Sequence, residues 1–258
     1  MAKGEPKGAR TPRSGGLSKA ALAQPPAERV APLQDARKKP AGAALRVTEV
    51  FLSLQGEGRD IGLPTVFVRL TGCNLRCAWC DTEYSFTGGR WVEVKDLLKE
   101  VEGFLPVRRV CLTGGEPLLQ KEHQDFVKAL LARGYRIVVE TSGSRRVEGA
   151  LLEDAVCVSM DVKCPSSGEE GEMLWDNLAR LRAKDQLKFV IADERDFAYM
   201  RDVMATRARS VEAEVVLQPV GGGLEGVAKL AEWARRDGLD ARVLPQLHKL
   251  LWGGVPGR

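Results

Sequence analysis

Cys73, Cys77 and Cys80 stand at Cys-x3-Cys-x2-Cys spacing in the run from Gly72 to Thr82, directly after an apolar, strand-like stretch at 65–70. A [4Fe–4S] cube has four irons that each accept a thiolate, so three cysteines crowded on one loop leave one iron open to a non-protein ligand. An open iron implies chemistry more than scaffolding. A zinc knuckle would need a fourth ligand, and no Cys or His lies close after Cys80. A non-catalytic iron–sulfur carrier would also need one. Cys164, in Lys163-Cys164-Pro165, is its serious source, because Cys111 and Cys157 read as strand-core fillers.

The elements that must position this loop alternate in type. Strands are predicted at 46–54, 64–70, 108–112, 135–140, 155–160, 186–191, 213–218 and 241–244, and helices at 92–104, 121–132, 172–182, 194–206 and 224–236. Alternation of this kind implies an α/β fold with a mostly parallel sheet and functional loops at the C-terminal strand ends. About seven strands after residue 63 fall short of a closed eight-fold barrel, so a curved partial (β/α) barrel is expected. The turns Thr113-Gly114-Gly115-Glu116-Pro117, Glu140-Thr141-Ser142-Gly143, Asp161-Val162-Lys163 and Gln218-Pro219 each follow a strand. They would gather on one rim beside the cysteines.

Composition sets the frame. The chain has 258 residues, 44% of them hydrophobic, enough for one domain with a sizeable core. No apolar run approaches the roughly 18 residues of a membrane span, and the N-terminus shows no secretory h-region. With cysteines scattered outside the loop, a reduced, cytoplasmic protein is expected. The formal charge of +4 arises at one end, since residues 1–45 hold nine Lys/Arg against three acids. That segment has no aromatic residue and six of the thirteen prolines, so it reads as a disordered extension, with the catalytic domain at 46–258. A solvated extension is favoured over a transit peptide or a weak grip on nucleic acid.

The cysteine spacing with an aromatic before the third ligand, followed by Gly-Gly-Glu-Pro at a strand end, resembles the radical S-adenosylmethionine (SAM) superfamily. Gln55-Gly56-Glu57-Gly58 before the loop, Cys80-Asp81-Thr82 closing it and Pro245-Gln246-Leu247-His248 narrow the likeness to the 7-carboxy-7-deazaguanine synthase family of queuosine biosynthesis, over residues 46 to about 252. A glycyl-radical activating enzyme would share the spacing, but usually continues with His-Asn-Pro where this chain has Asp81-Thr82-Glu83.

The resemblance implies a partial barrel of the radical SAM type and a cluster on Cys73, Cys77 and Cys80 whose open iron is chelated by SAM. It implies SAM contacts from Trp79, Gly115, Glu116, Ser142, Ser159, Lys163 and Gln218; Trp79 reads equally as core packing. The implied substrate is 6-carboxy-5,6,7,8-tetrahydropterin, met by Gln55, Glu57, Arg69, Gly114 and His248. Arg69 stands in an otherwise apolar strand and can grip a carboxylate with its guanidinium fork. His248 is one of two histidines; His123, at a helix start, looks structural. Thr82 is the implied protein ligand of Mg²⁺, a hard cation that takes oxygen donors. A radical made from SAM would take hydrogen from C6, the ring would contract, hydrogen would return to regenerate SAM, and ammonia would leave. A flavodoxin or ferredoxin would supply electrons, and the chain would be a homodimer with no nucleic-acid or membrane partner. Some similar proteins end a few residues past the histidine that matches His248 and use the terminus as a pocket wall, whereas here Leu250 to Arg258 continues.

Overall fold

In the computed structural model, which describes residues 38–253, 255 and 257, the alternating run Ala44–Leu54 forms strand β1. It pairs antiparallel with β2 (Pro64–Leu70) and, through its first residues, with the short β3 (Arg90–Glu93). From β2 outward every neighbour is parallel: β4 (Arg109–Gly114), β5 (Arg136–Thr141), β6 (Val156–Val162), β7 (Gln186–Ile191), β8 (Glu214–Pro219) and β9 (Arg242–Val243). The order β3-β1-β2-β4-β5-β6-β7-β8-β9 leaves β3 and β9 at the edges, so the curved sheet stays open, as expected of a partial barrel.

Side chains alternate across a strand, and the alternation divides this sheet into two functions. Val66, Val68, Val110, Leu112, Ile137, Val139, Val158, Met160, Leu187 and Phe189 all belong to the buried core. Helices α1 (Val94–Glu102), α2 (His123–Leu131), α3 (Glu194–Thr206) and α4 (Leu224–Arg236) cover that core with Leu97, Phe126, Phe197 and Trp233. The residues one step out of phase, Arg69, Thr113, Glu140, Ser159, Asp161 and Lys188, line a cavity on the other face. A one-residue slip of any strand would exchange its core for its site.

The loop between β1 and β2 crosses that second face. It is pinched shut by Gln55 N donating to Leu63 O (2.8 Å) and Gly62 N to Gln55 O (2.8 Å). Arg59 ties it to β7 and the residues before it, its backbone N–H donating to Gln186 Oε1 (2.8 Å) and its Nη1 to Lys184 O (2.9 Å).

Four expectations are corrected. The helix predicted at 92–104 starts at Val94, because residues 90–93 extend against β1 instead. The helix predicted at 172–182 is a pair of 3₁₀ turns, Glu170–Glu172 and Trp175–Arg180. There Leu174 N is pinned to Gly143 O, and the fully buried Asn177 braces Val147 N, Gly143 O and Arg145 O, so tertiary bonds override local propensity. The strand predicted at 241–244 shrinks to Arg242–Val243. Ala44 and Leu45, assigned to the extension, are buried in β1; residues 1–37 of that extension lie outside the described residues. No described helix is long and apolar enough to cross a membrane.

Candidate active site

Gly72 turns the chain out of β2 with φ +102°, a conformation glycine adopts at little cost. The loop that follows is fixed by its backbone: Gly72 N donates to Ser85 O (2.8 Å), Ala78 N to Ser167 O (3.0 Å) and Cys80 N to Cys77 O (3.1 Å). Cys73, Cys77 and Cys80 are partly exposed free thiols, and all three line one cavity of about 280 Å³. Burial pushes the thiols of Cys73 and Cys77 up, so both hold their protons at neutral pH without a metal. Among the described residues no three Cys, His, Asp or Glu side chains converge on a point one ion could fill. A cube binds each thiolate through a different iron and needs no such convergence. Cys111 and Cys164 are buried thiols outside the cavity wall, their pKa values pushed up by burial, so the carrier reading loses its proposed fourth ligand.

Gly114 and Gly115 line the cavity, yet what requires glycine there is the protein itself. A Cβ on Gly114 would lie 2.5 Å from Leu70 O, and one on Gly115 would lie 2.7 Å from Cys73 Cβ and closer still to Gly72 O. The end of β4 is thus pressed against the root of the cysteine loop. Glu116 turns away from the cavity. Its carboxylate, fully buried, accepts from Leu118 N (2.9 Å), Thr141 Oγ1 (2.9 Å), Ser142 N (2.8 Å) and Ser142 Oγ (2.6 Å). Ser142 continues to Ser144 Oγ (2.8 Å), which accepts from Asn74 Nδ2 (3.1 Å) in the cysteine loop. Glu116 therefore clamps the site's frame, with its carboxylate turned to these donors rather than lining the cavity where SAM is expected. Gln218 also lies off the cavity wall, with Nε2 turned to Pro245 O (3.3 Å).

The other expected residues come together. Trp79, Ser142, Ser159 and Lys163 line the cavity with the cysteines, and so do Gln55, Glu57, Arg69, Thr82 and His248. Lys163 Nζ lies over the Trp79 ring at 5.2 Å and bonds Asp161 Oδ2 at 2.9 Å. Arg69 Nε donates to Glu49 Oε1 (2.7 Å), an oxygen that also accepts from Tyr84 OH (2.8 Å). His248 is at the start of a short helix, α5 (Leu247–Trp252), and its ring rests on the bare α-carbon of Gly56. Leu247 N donating to Gly56 O (2.9 Å) fixes that seat. Gly56 is therefore needed because a histidine from 192 positions later covers it.

Several cavity residues drew no role of their own from the sequence, some of them although they stand in its motifs. Lys188 bonds Glu57 Oε2 at 2.8 Å, Gln246 Nε2 bonds Glu57 Oε1 at 2.8 Å, and Lys249 bonds Asp81 Oδ2 at 2.7 Å. Burial opposes the Glu57 charge, but Lys188 and the Gln246 hydrogen bond outweigh it and hold the pKa down to about 2. Asp161, Glu140, Tyr84 and the C-terminal residues Gly253, Val255 and Gly257 complete the wall. The signal for Lys188 was present: it interrupts an apolar strand as Arg69 does. Two buried polar atoms of the wall, Asp161 Oδ1 and Trp79 Nε1, have no hydrogen-bond partner among the described residues. Orphaned atoms on a cavity wall fit a polar ligand such as SAM.

An open, mostly parallel sheet with three cysteines on the loop after its first parallel strand, facing a cavity lined by polar side chains, defines a radical SAM enzyme. A family model described as "Radical SAM superfamily" matches residues 67–184. A 7-carboxy-7-deazaguanine synthase of Koribacter versatilis is 41% identical over 223 residues, covering 81% of this chain and 97% of the relative. One of Thermoplasma acidophilum is 40% identical, covering 82% and 99%. The crystal structure of QueE from Escherichia coli shares the fold, with a TM-score of 0.65 at 24% identity over 77% of this chain and 92% of that one. This chain belongs to the 7-carboxy-7-deazaguanine synthase family.

Proposed function

We propose that the chain converts 6-carboxy-5,6,7,8-tetrahydropterin to 7-carboxy-7-deazaguanine with release of ammonia, as a radical SAM lyase of deazapurine biosynthesis. The observation that carries this is the convergence of Gln55, Glu57, Arg69 and His248 with the three cysteines on one cavity. When bound, a [4Fe–4S] cluster and SAM supply the radical chemistry at C6 of the substrate. Cys73, Cys77 and Cys80 would hold the cluster. Trp79, Gly115, Ser142, Ser159 and Lys163 would surround SAM, with Asp161 offering its unpaired oxygen to a donor.

On the substrate side, Arg69 keeps its Nε on Glu49, which orients the rest of the guanidinium to take a carboxylate. Glu57, ionised at all working pH values, accepts from N–H groups of the heterocycle, while Gln55 and His248 supply mixed donors and acceptors. Thr82 would be the protein ligand of Mg²⁺. Thr82 lines the cavity, and its hydroxyl has Cys80 Sγ, at 3.8 Å, as its one side-chain hydrogen-bond partner among the described residues, which fits a shell completed by substrate and water oxygens. We further place the protein in the cytoplasm as a homodimer served by a flavodoxin-like or ferredoxin-like reductant. Anaerobic incubation of the reconstituted protein with dithionite, SAM, Mg²⁺ and the carboxytetrahydropterin should yield a deazaguanine absorbance. SAM consumption on another substrate with none on this one would sink the reading.

A further inference from the structure

Lys188 is a partly buried cation in the middle of β7, its side chain 12% exposed and facing the cavity, with its neighbours Leu187 and Phe189 facing the core. Its ammonium lies 2.8 Å from Glu57 Oε2 and 3.8 Å from Asp161 Oδ2. Asp161 Oδ2 already accepts from Lys163 at 2.9 Å, so the hydrogen bond Lys188 makes goes to Glu57. Glu57 sits on the loop that crosses the cavity face, and Gln246 holds its other oxygen. The carboxylate is thus gripped from both sides, by β7 and by the segment leading into α5. An ionised carboxylate has about four acceptor sites, so two remain for a ligand.

We propose that Lys188 is a positioning residue for substrate specificity: it holds the Glu57 carboxylate turned so that its free acceptor sites meet two adjacent N–H donors on the edge of the substrate heterocycle. This inference rests on the proposed function, which supplies a pterin with such an edge. Arg69 and Lys188 then divide the work, one facing the exocyclic carboxylate and the other acting through Glu57 on the ring. Without the ammonium, Glu57 is a partly buried carboxylate with its main compensating charge removed, and it protonates or swings toward Gln246. Either response removes acceptors from the donor edge and leaves the cysteine loop untouched.

The test is a set of four variants, Lys188→Met, Lys188→Arg, Glu57→Gln and the double variant Lys188→Met with Glu57→Gln, each reconstituted anaerobically. KM for the carboxytetrahydropterin, kcat, iron content and dithionite-driven SAM cleavage without substrate are read for each. Lys188→Met should raise KM about 10- to 100-fold, the range for losing a hydrogen bond to a charged group, with iron content and substrate-free SAM cleavage retained. Lys188→Arg should recover most of the KM. In the Glu57→Gln background, Lys188→Met should add less than about threefold, because two residues acting as one unit are not additive. An unchanged KM, an additive double variant, or loss of substrate-free SAM cleavage with iron retained would overturn the inference; the last would put Lys188 on the SAM side through Asp161. Lys188→Gln, which keeps a donor for Glu57 without the charge, gives the same readouts if the Met variant does not fold. A wild-type protein that does not convert the pterin removes both the functional reading and this inference, whereas a converting wild type beside a Lys188→Met variant of unchanged KM removes this inference alone.

Discussion

Glu116→Ala should destabilise the protein strongly while changing SAM affinity little. The carboxylate collects four donors, two of them the buried backbone N–H groups of Leu118 and Ser142. Each hydrogen bond to a charged acceptor is worth about 1.5–3 kcal/mol, but the four share one group and relax together. Breaking a buried, fully satisfied charged network from one side costs about 3–5 kcal/mol, and we take about 4. For a domain of this size that lowers the unfolding midpoint by about 8–16 °C. Glu116→Gln keeps the volume but turns an NH₂ toward donors, so about half the loss is expected. Because Ser142 leads through Ser144 to Asn74, iron content should fall with stability. The assay is thermal unfolding of the cluster-loaded protein under argon, paired with equilibrium dialysis of SAM at a temperature where the variant is folded. A midpoint within about 2 °C of wild type, with SAM affinity lost, would show that the carboxylate serves the ligand and would refute the clamp.

Gly115→Ala should lower iron incorporation, because the new Cβ must displace Gly72 or Cys73, at an overpacking cost of about 1–3 kcal/mol; Gly171→Ala, which meets nothing within 4 Å, is the control that should load normally. In metal-free protein, Cys73 and Cys77 should alkylate more slowly than a free cysteine at neutral pH and gain reactivity only above the ordinary thiol pKa of about 8.5, as mapped by mass spectrometry. Rates equal to free cysteine at pH 7.5 would contradict the burial argument. The Glu57 pKa is lowered from 4.5 to about 2, so its stabilisation is complete above the unfolded value and is lost as pH falls through that window. The difference in urea midpoint between wild type and Glu57→Gln should therefore be flat from neutral pH down to 5 and shrink below 4.5, and a difference that instead grows on acidification would reverse the sign.

Much of the framework was legible because a parallel strand buried on both faces leaves a dense apolar run. β6 and β7 were located from such runs, and the motifs at their ends fell on one rim. β3 was missed because Arg90–Glu93 is stabilised by its partner in β1, where Val92 meets Leu45 from 47 positions away in the chain. The helix predicted at 172–182 failed for a related reason, since Asn177 answers to three backbone groups in another loop. In the site, residue type was readable and direction was not. Glu116 belongs to a recognisable turn, but only the packed structure shows its carboxylate turned to Thr141 and Ser142 rather than to the cavity. Lys188 drew no reading, and Asp161 stood in a strand-end motif with no role of its own, until the register Asp161↔Lys188 set them side by side on the cavity face.

The most direct measurement follows hydrogen from substrate carbon C6. With substrate deuterated at C6, reconstituted protein should form 7-carboxy-7-deazaguanine while total SAM stays constant and deuterium appears at the 5′ carbon of the recovered SAM. Stoichiometric loss of SAM to unlabelled 5′-deoxyadenosine, with no deazaguanine formed, would contradict a cavity built for radical ring contraction of a carboxylated pterin.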